Sequence, residues 1–174
     1  MKNKIFFTTI CLFVSLAFNV STAQEKGFIN KKLGNIIFID MPEYMTKTYG
    51  LNDVAKAQYQ NTDKEAYLII IEEEKEDIKI AGGGFANSKE YFKFFVESFG
   101  IDSIKIMSGE EMNKGKFPAY QGQIEGFVNG LKLFYLVTIV ESPTHFYNII
   151  SWTLFERKSD VINDFKKIAS SLKE

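Results

Sequence analysis

The chain changes its hydrophobic rhythm several times, and each change predicts an element. Gln24 to Gly34 is polar and reads as a loose arm. Asn35 to Met41 (NIIFIDM) is a β-branched and aromatic run stopped by Pro42, the signature of a strand. Pro42 to Asp53 reads as a loop or short helical turn. Val54 to Gln60 alternates, with Ala55, Ala57 and Tyr59 on one face and Lys56 and Gln58 on the other. Asn61-Thr62-Asp63 is turn chemistry, and Ala66 to Glu73 (AYLIIIEE) is the next strand, so the pair predicts a hairpin. Ala81-Gly82-Gly83-Gly84 is a loop. Asn87-Ser88-Lys89-Glu90 has the form of a capping box, and Tyr91, Phe92, Phe95 and Phe99 then recur at helical spacing up to Gly100. Strands are expected over 103–108, 119–128, 131–141 and 144–154. The last element is a helix from about Asp160 to Leu172, capped by Ser159, with Val161, Phe165, Ile168 and Leu172 as its apolar stripe.

The predicted order is three strands, a helix, four strands and a helix. The run LKLFYLVTIV at 131–140 is apolar on both faces, whereas a strand covered on one side would alternate. The expectation is an α+β protein: an α/β/α sandwich around a mainly antiparallel sheet of about seven strands.

Residues 1–23 follow a different grammar. Lys2 and Lys4 precede an apolar stretch, Ile5 to Phe18, and small residues stand at Ser21 and Ala23. This is the pattern of a secretory signal peptide cut after Ala23, and the apolar stretch falls short of the roughly 20 residues a bilayer span needs. The expectation is a single domain over 24–174 in the periplasm or outside the cell. The chain's one cysteine, Cys11, lies within the leader, so disulfides, thiol catalysis and Cys-ligated metals are excluded for the rest. Without Lys2 and Lys4, the 21 basic and 22 acidic residues leave a net charge of −3. No basic stripe is present, which argues against nucleic acid and anionic lipid as partners.

Candidate chemistry is sparse. His145 is the only histidine, and no G-x-S-x-G elbow supplies it with a nucleophile. One histidine and no cysteine make no recognisable zinc or copper site. Glu72, Glu73, Glu74, Glu76 and Asp77 form the densest carboxylate cluster. Ca²⁺ would want six to eight oxygens gathered by a glycine turn, so the preferred reading is a charged strand end guarding Leu68 to Ile71 against aggregation. Gly82-Gly83-Gly84 precedes a helix as phosphate-cradling loops do, but lacks the Lys-Ser/Thr pair and the third spaced glycine. No cofactor is implied.

Asn129-Gly130 is the strongest hairpin signal in the chain. A two-residue turn there opposes Val128 to Leu131, Gly126 to Leu133, Ile124 to Tyr135 and Gly122 to Val137. Glycines facing large residues let a helix approach the sheet closely. The other face pairs Glu125 with Phe134, Gln123 with Leu136 and Gln121 with Thr138. It is half polar, and it is the candidate binding groove: Gln121, Gln123 and Glu125 as polar contacts, Phe134 as apolar anchor.

The opening strand ending in proline (Ile37 to Pro42), the hairpin, the helix after it, the strand meander with Tyr147 to Trp152, and the final Ile168-Ala169-Ser170-Ser171-Leu172 together resemble the PsbP-like fold superfamily. The resemblance spans Asn35 to Leu172. The chain also resembles small exported Bacteroidetes-type proteins of unknown function, whose leaders often end Ala-Gln, as Ala23-Gln24 does. Known PsbP-like proteins are mostly accessory or binding modules. The resemblance therefore implies a non-enzymatic binding or accessory protein with an unknown protein or small ligand as partner, and it transfers no functional residues. The alternatives are a carrier of a small apolar ligand, or a hydrolase using Glu110-Glu111 or His145.

Overall fold

The structure, a computed structural model, describes residues 27–33, 37–112 and 117–173. The expected leader and its cleavage point at Ala23 lie outside the described residues.

Among the described residues, nine strands and three α-helices follow in chain order. They are β1 (Phe28–Leu33), β2 (Ile37–Pro42), β3 (Thr46–Lys47), β4 (Ala57–Asn61), β5 (Ala66–Glu74), α1 (Lys75–Ile80), α2 (Ser88–Glu97), β6 (Asp102–Met112), β7 (Ala119–Val128), β8 (Leu131–Glu141), β9 (His145–Leu154) and α3 (Lys158–Ser170). Seven strands form one antiparallel sheet in the order β3-β4-β5-β9-β8-β7-β6. β1 and β2 form a separate antiparallel ribbon.

Both faces of the sheet are covered, as the doubly apolar β8 predicts; seven consecutive β8 residues, Phe134 to Val140, are buried. On one face, α3 and the β1–β2 ribbon close a core of Ile39, Met41, Leu68, Phe134, Leu136, Phe165 and Ile168. On the other, α2 closes a second core of Tyr91, Phe92, Ile124, Val137, Phe146 and Ile150. The C-terminus is clasped to the ribbon: the Phe38 N–H donates to the Lys173 carbonyl at 2.8 Å, and the Asp40 N–H to Ser171 Oγ at 2.8 Å.

The β7–β8 hairpin pairs in the register that a two-residue turn requires, from Val128↔Leu131 to Gln121↔Thr138. Asn129 and Gly130 both take positive φ, 52° and 79°, which matches the twist of the flanking strands. Gly122 lets α2 approach: a Cβ there would stand 2.1 Å from Phe92 Cζ. The Asn87 cap is present, but the return bond of the expected capping box goes one residue further back. Asn87 Oδ1 accepts from the Lys89 and Glu90 N–H groups, and Glu90 accepts from the Ala86 N–H at 2.9 Å.

Four expectations are corrected. The polar arm contains β1, whose Asn30, Lys31 and Lys32 mask a strand held by its register with β2. The strand expected from Val54 starts at Ala57, because Asn52 and Leu51 engage Gln58 and hold the preceding segment as a loop. The charged end of β5 turns into α1 at Lys75. Ser159 does not cap α3. The helix begins at Lys158 on a 3₁₀ turn over Phe155–Arg157, and Ser159 Oγ contacts Asp160 instead.

Candidate functional site

The half-polar face of the β7–β8 hairpin is the face that carries α3. The helix lies over β2, β8 and β9, and its cover decides what stays open. Phe134 is fully buried, with Lys158 Nζ 4.5 Å from its ring centroid, so the expected apolar anchor is a core residue. Gln121 is 3 % exposed and donates from Nε2 to Thr138 Oγ1 at 2.8 Å, which satisfies the amide inside the fold. Strand pairing had shown that the four residues share a face. How far α3 reaches across that face depends on packing, and the pattern of the hairpin alone carries no such information.

Gln123 and Glu125 are half-buried. Glu125 sits between Lys132 Nζ at 3.0 Å and Lys105 Nζ at 3.5 Å. The hydrogen bond from Lys132, aided by the charge of both lysines, holds its carboxyl below the usual range. Beside this row, α3 and the sheet edge bound a cleft of about 380 Å³. Its lining divides by charge: Lys166, Lys167 and Ser170 on the helix side face Glu110 and Gln121 on the strand side, and Glu111, which stands opposite Tyr120 and projects to the other face of the sheet, borders the cleft. The sequence pattern had flagged Glu110, Glu111 and Gln121 separately; only the tertiary structure brings Glu110 and Gln121 to the lysines of α3.

Four of the five clustered carboxylates, Glu72, Glu73, Glu74 and Asp77, line a second depression, of about 460 Å³, with Lys56, Ile78 and His145. His145 Nε2 lies 3.5 Å from Glu72 Oε1 and 3.8 Å from Glu74 Oε1, and its Nδ1 is 2.8 Å from Thr144 Oγ1. Among the described residues, no group of three or more His, Cys, Asp or Glu side chains is placed to hold a metal ion. Glu73 points to the opposite face, where the Tyr91 hydroxyl donates to it and Asn148 Nδ2 donates to it at 2.5 Å. Burial and this hydrogen bond to Glu73 push the Tyr91 phenol well above its ordinary value. The Glu73–Tyr91–Asn148 cluster was not foreseen. The available signal was parity, since Glu73 follows Ile69 and Ile71 on the face of β5 that α2 covers.

The α2 N-terminus, where the glycine run lacked the marks of a phosphate loop, meets protein groups. Glu141 Oε2 accepts from the Ser88 N–H at 2.8 Å while its Oε1 takes Lys75 Nζ at 2.8 Å. Among the described residues, no helix is long and apolar enough to cross a membrane.

No protein-family model matches the chain, and no curated protein matches it by sequence. Solved structures do match in shape. Cyanobacterial PsbP (CyanoP) from Synechocystis sp. PCC 6803 superposes with a TM-score of 0.60 at 14 % identity, over 94 % of this chain and 96 % of that one. LpqN of Mycobacterium tuberculosis, involved in cell envelope biogenesis, gives 0.60 at 12 % identity over 84 % and 89 %. The Ran-binding protein Mog1p of Saccharomyces cerevisiae gives 0.58 at 12 % identity over 83 % and 95 %. The chain therefore has the Mog1/PsbP-like fold.

Proposed function

We propose that this protein is an exported, non-enzymatic binding or accessory protein that holds a polar segment of a partner protein in the cleft between α3 and the β6–β7 edge. The observation that carries the reading is the lining of that cleft. Lys166 and Lys167 on a helix face Glu110 on a strand across a cleft of about 380 Å³, and Gln123 and Glu125 continue the polar row on the same face. A surface with both signs of charge suits a polypeptide that presents both, and it sets orientation through charge complementarity. The fold supports the binding class, because Mog1p, which shares it, is a Ran-binding protein. Export is supported by the Lys2/Lys4, Ile5 to Phe18 and Ser21/Ala23 grammar of the leader.

Two measurements test the reading. Intact-mass analysis of protein recovered from the periplasm is expected to show a chain beginning at Gln24; a mass that retains residues 1–23 refutes the cleavage. Partner capture from the native compartment is to be compared for the wild type and Gln123→Arg. The variant is expected to fold, because Gln123 is only half-buried, and to lose the specific partner, because the guanidinium intrudes on the contact. Retention of that partner at full affinity places the binding surface elsewhere.

A further inference from the structure

The two ends of the main sheet are unequal. One ends in β3, two residues long; the other ends in β6, eleven residues long, and no described strand pairs with its outer side. A strand of that length presents unpaired N–H and C=O groups, and native proteins normally shorten or cover such an edge. β6 also exposes Ile106 (49 %) and Met107 (41 %).

The charges on β6 are self-complementary. Lys105 stands opposite Glu125 and Glu110 opposite Gln121, so both project to the face that carries α3. They are five residues apart and would lie on opposite faces of a regular strand. The irregularity between Ile106 and Ser108 restores them to one face. Glu110 makes no ion pair among the described residues. Lys105, 70 % exposed, shares Glu125 with the closer Lys132.

We propose that β6 is a docking edge for a second copy of this chain, paired antiparallel about a two-fold axis between Met107 and Ser108. This register sets Lys105 of each copy against Glu110 of the other, on one face. On the opposite face it sets Ile106 against Gly109. The Tyr120 hydroxyl lies over Gly109, giving Ile106 an aromatic surface to cover. The irregularities of the two copies between Ile106 and Ser108 meet at the axis, and the further irregularity between Asp102 and Lys105 lies at the outer end of the paired segment. The contact is isologous and closed and repeats the Lys105–Glu110 pair on either side of the axis, while Glu111, set against Ile104, stays toward its outer end. It shares Glu110 with the cleft reading, but Gln123→Arg tests that reading without touching β6, so the failure of either is distinguishable from the failure of the other.

The test is sedimentation equilibrium of the purified protein from about 1 to 300 μM, the range expected of an edge contact smaller than a standard interface. The wild type is expected to approach twice the chain mass. Lys105→Glu and Glu110→Lys each set two like-charge pairs at the axis and are expected to weaken association about tenfold or more. In an equimolar mixture of the two variants, a copy acidic at both positions meets a copy basic at both. Unlike charges then oppose each other on either side of the axis, and the mixture is expected to regain the wild-type constant. Loss of folding in either variant cannot imitate that rescue. Hydrogen exchange on the wild type provides a measurement without substitution: β6 amides are expected to gain protection as concentration rises. A wild type that stays monomeric to 300 μM, a mixture no tighter than either variant, or β6 exchange that ignores concentration overturns the proposal.

Discussion

Substituting Gly122 by alanine tests the close approach of α2 to the sheet. The added Cβ would stand 2.1 Å from Phe92 Cζ and 2.7 Å from Phe92 Cε2. Carbon atoms in contact sit at about 3.5–4.0 Å, so the ring or the helix must withdraw by roughly 1.5 Å. Phe92 has little room to move. It is 1 % exposed, and Tyr120 packs against it with ring centroids 5.0 Å apart. Overpacking of this kind costs about 1–3 kcal/mol. Alanine recovers about 0.5–1 kcal/mol of that, because glycine loses more backbone freedom on folding. The expected net loss is roughly 1–2 kcal/mol, read from urea denaturation followed by circular dichroism. The decisive arm is a double-mutant cycle with Phe92→Leu, which removes the colliding edge of the ring. In that background Gly122→Ala is expected to be neutral or slightly stabilising, a coupling of about 1–3 kcal/mol between the two positions. Equal cost in both backgrounds refutes the contact, as does a Gly122→Ala protein more stable than the wild type.

Asn87→Ala removes the side-chain acceptor for the Lys89 and Glu90 N–H groups and is expected to cost about 1 kcal/mol, with the urea midpoint as readout. The Tyr135 phenol is pushed up to about 12 by burial, so the unfolded chain loses this proton first as pH rises. Its contribution to stability is complete below about pH 10 and disappears between about pH 10 and about pH 12. Tyr135→Phe is expected to flatten the alkaline fall of the unfolding free energy by up to about 1.4 kcal/mol per pH unit, measured in urea from about pH 9 to 12. An unchanged slope places the alkaline loss on other tyrosines.

The reading of β7–β8 shows how far sequence reasoning carried. Asn129-Gly130 dictates a turn, the turn dictates a register, and the register assigns each side chain to a face, so every opposed pair there was legible. Exposure was not legible. Gln121 and Phe134 are buried by α3, which comes well further along the chain, and the reach of that helix depends on where its Phe165 and Ile168 seat in the core. β1 escaped for a related reason: its Asn30 and Lys32 face outward, and the pairing that makes it a strand comes from β2.

Local chemistry along the chain thus determined the helix start at Asn87, the hairpin, the doubly covered sheet and the fold class, because each follows from neighbours within a few residues or from strand periodicity. Tertiary structure alone decided which polar groups meet. Glu141 joins the α2 N-terminus to Lys75, Glu73 turns inward to Tyr91, and α3 sets Lys166 and Lys167 across from Glu110. These contacts join residues far apart in the chain, and such a contact leaves no periodic trace in the sequence, since its partner is chosen by how the two covering layers settle on the sheet.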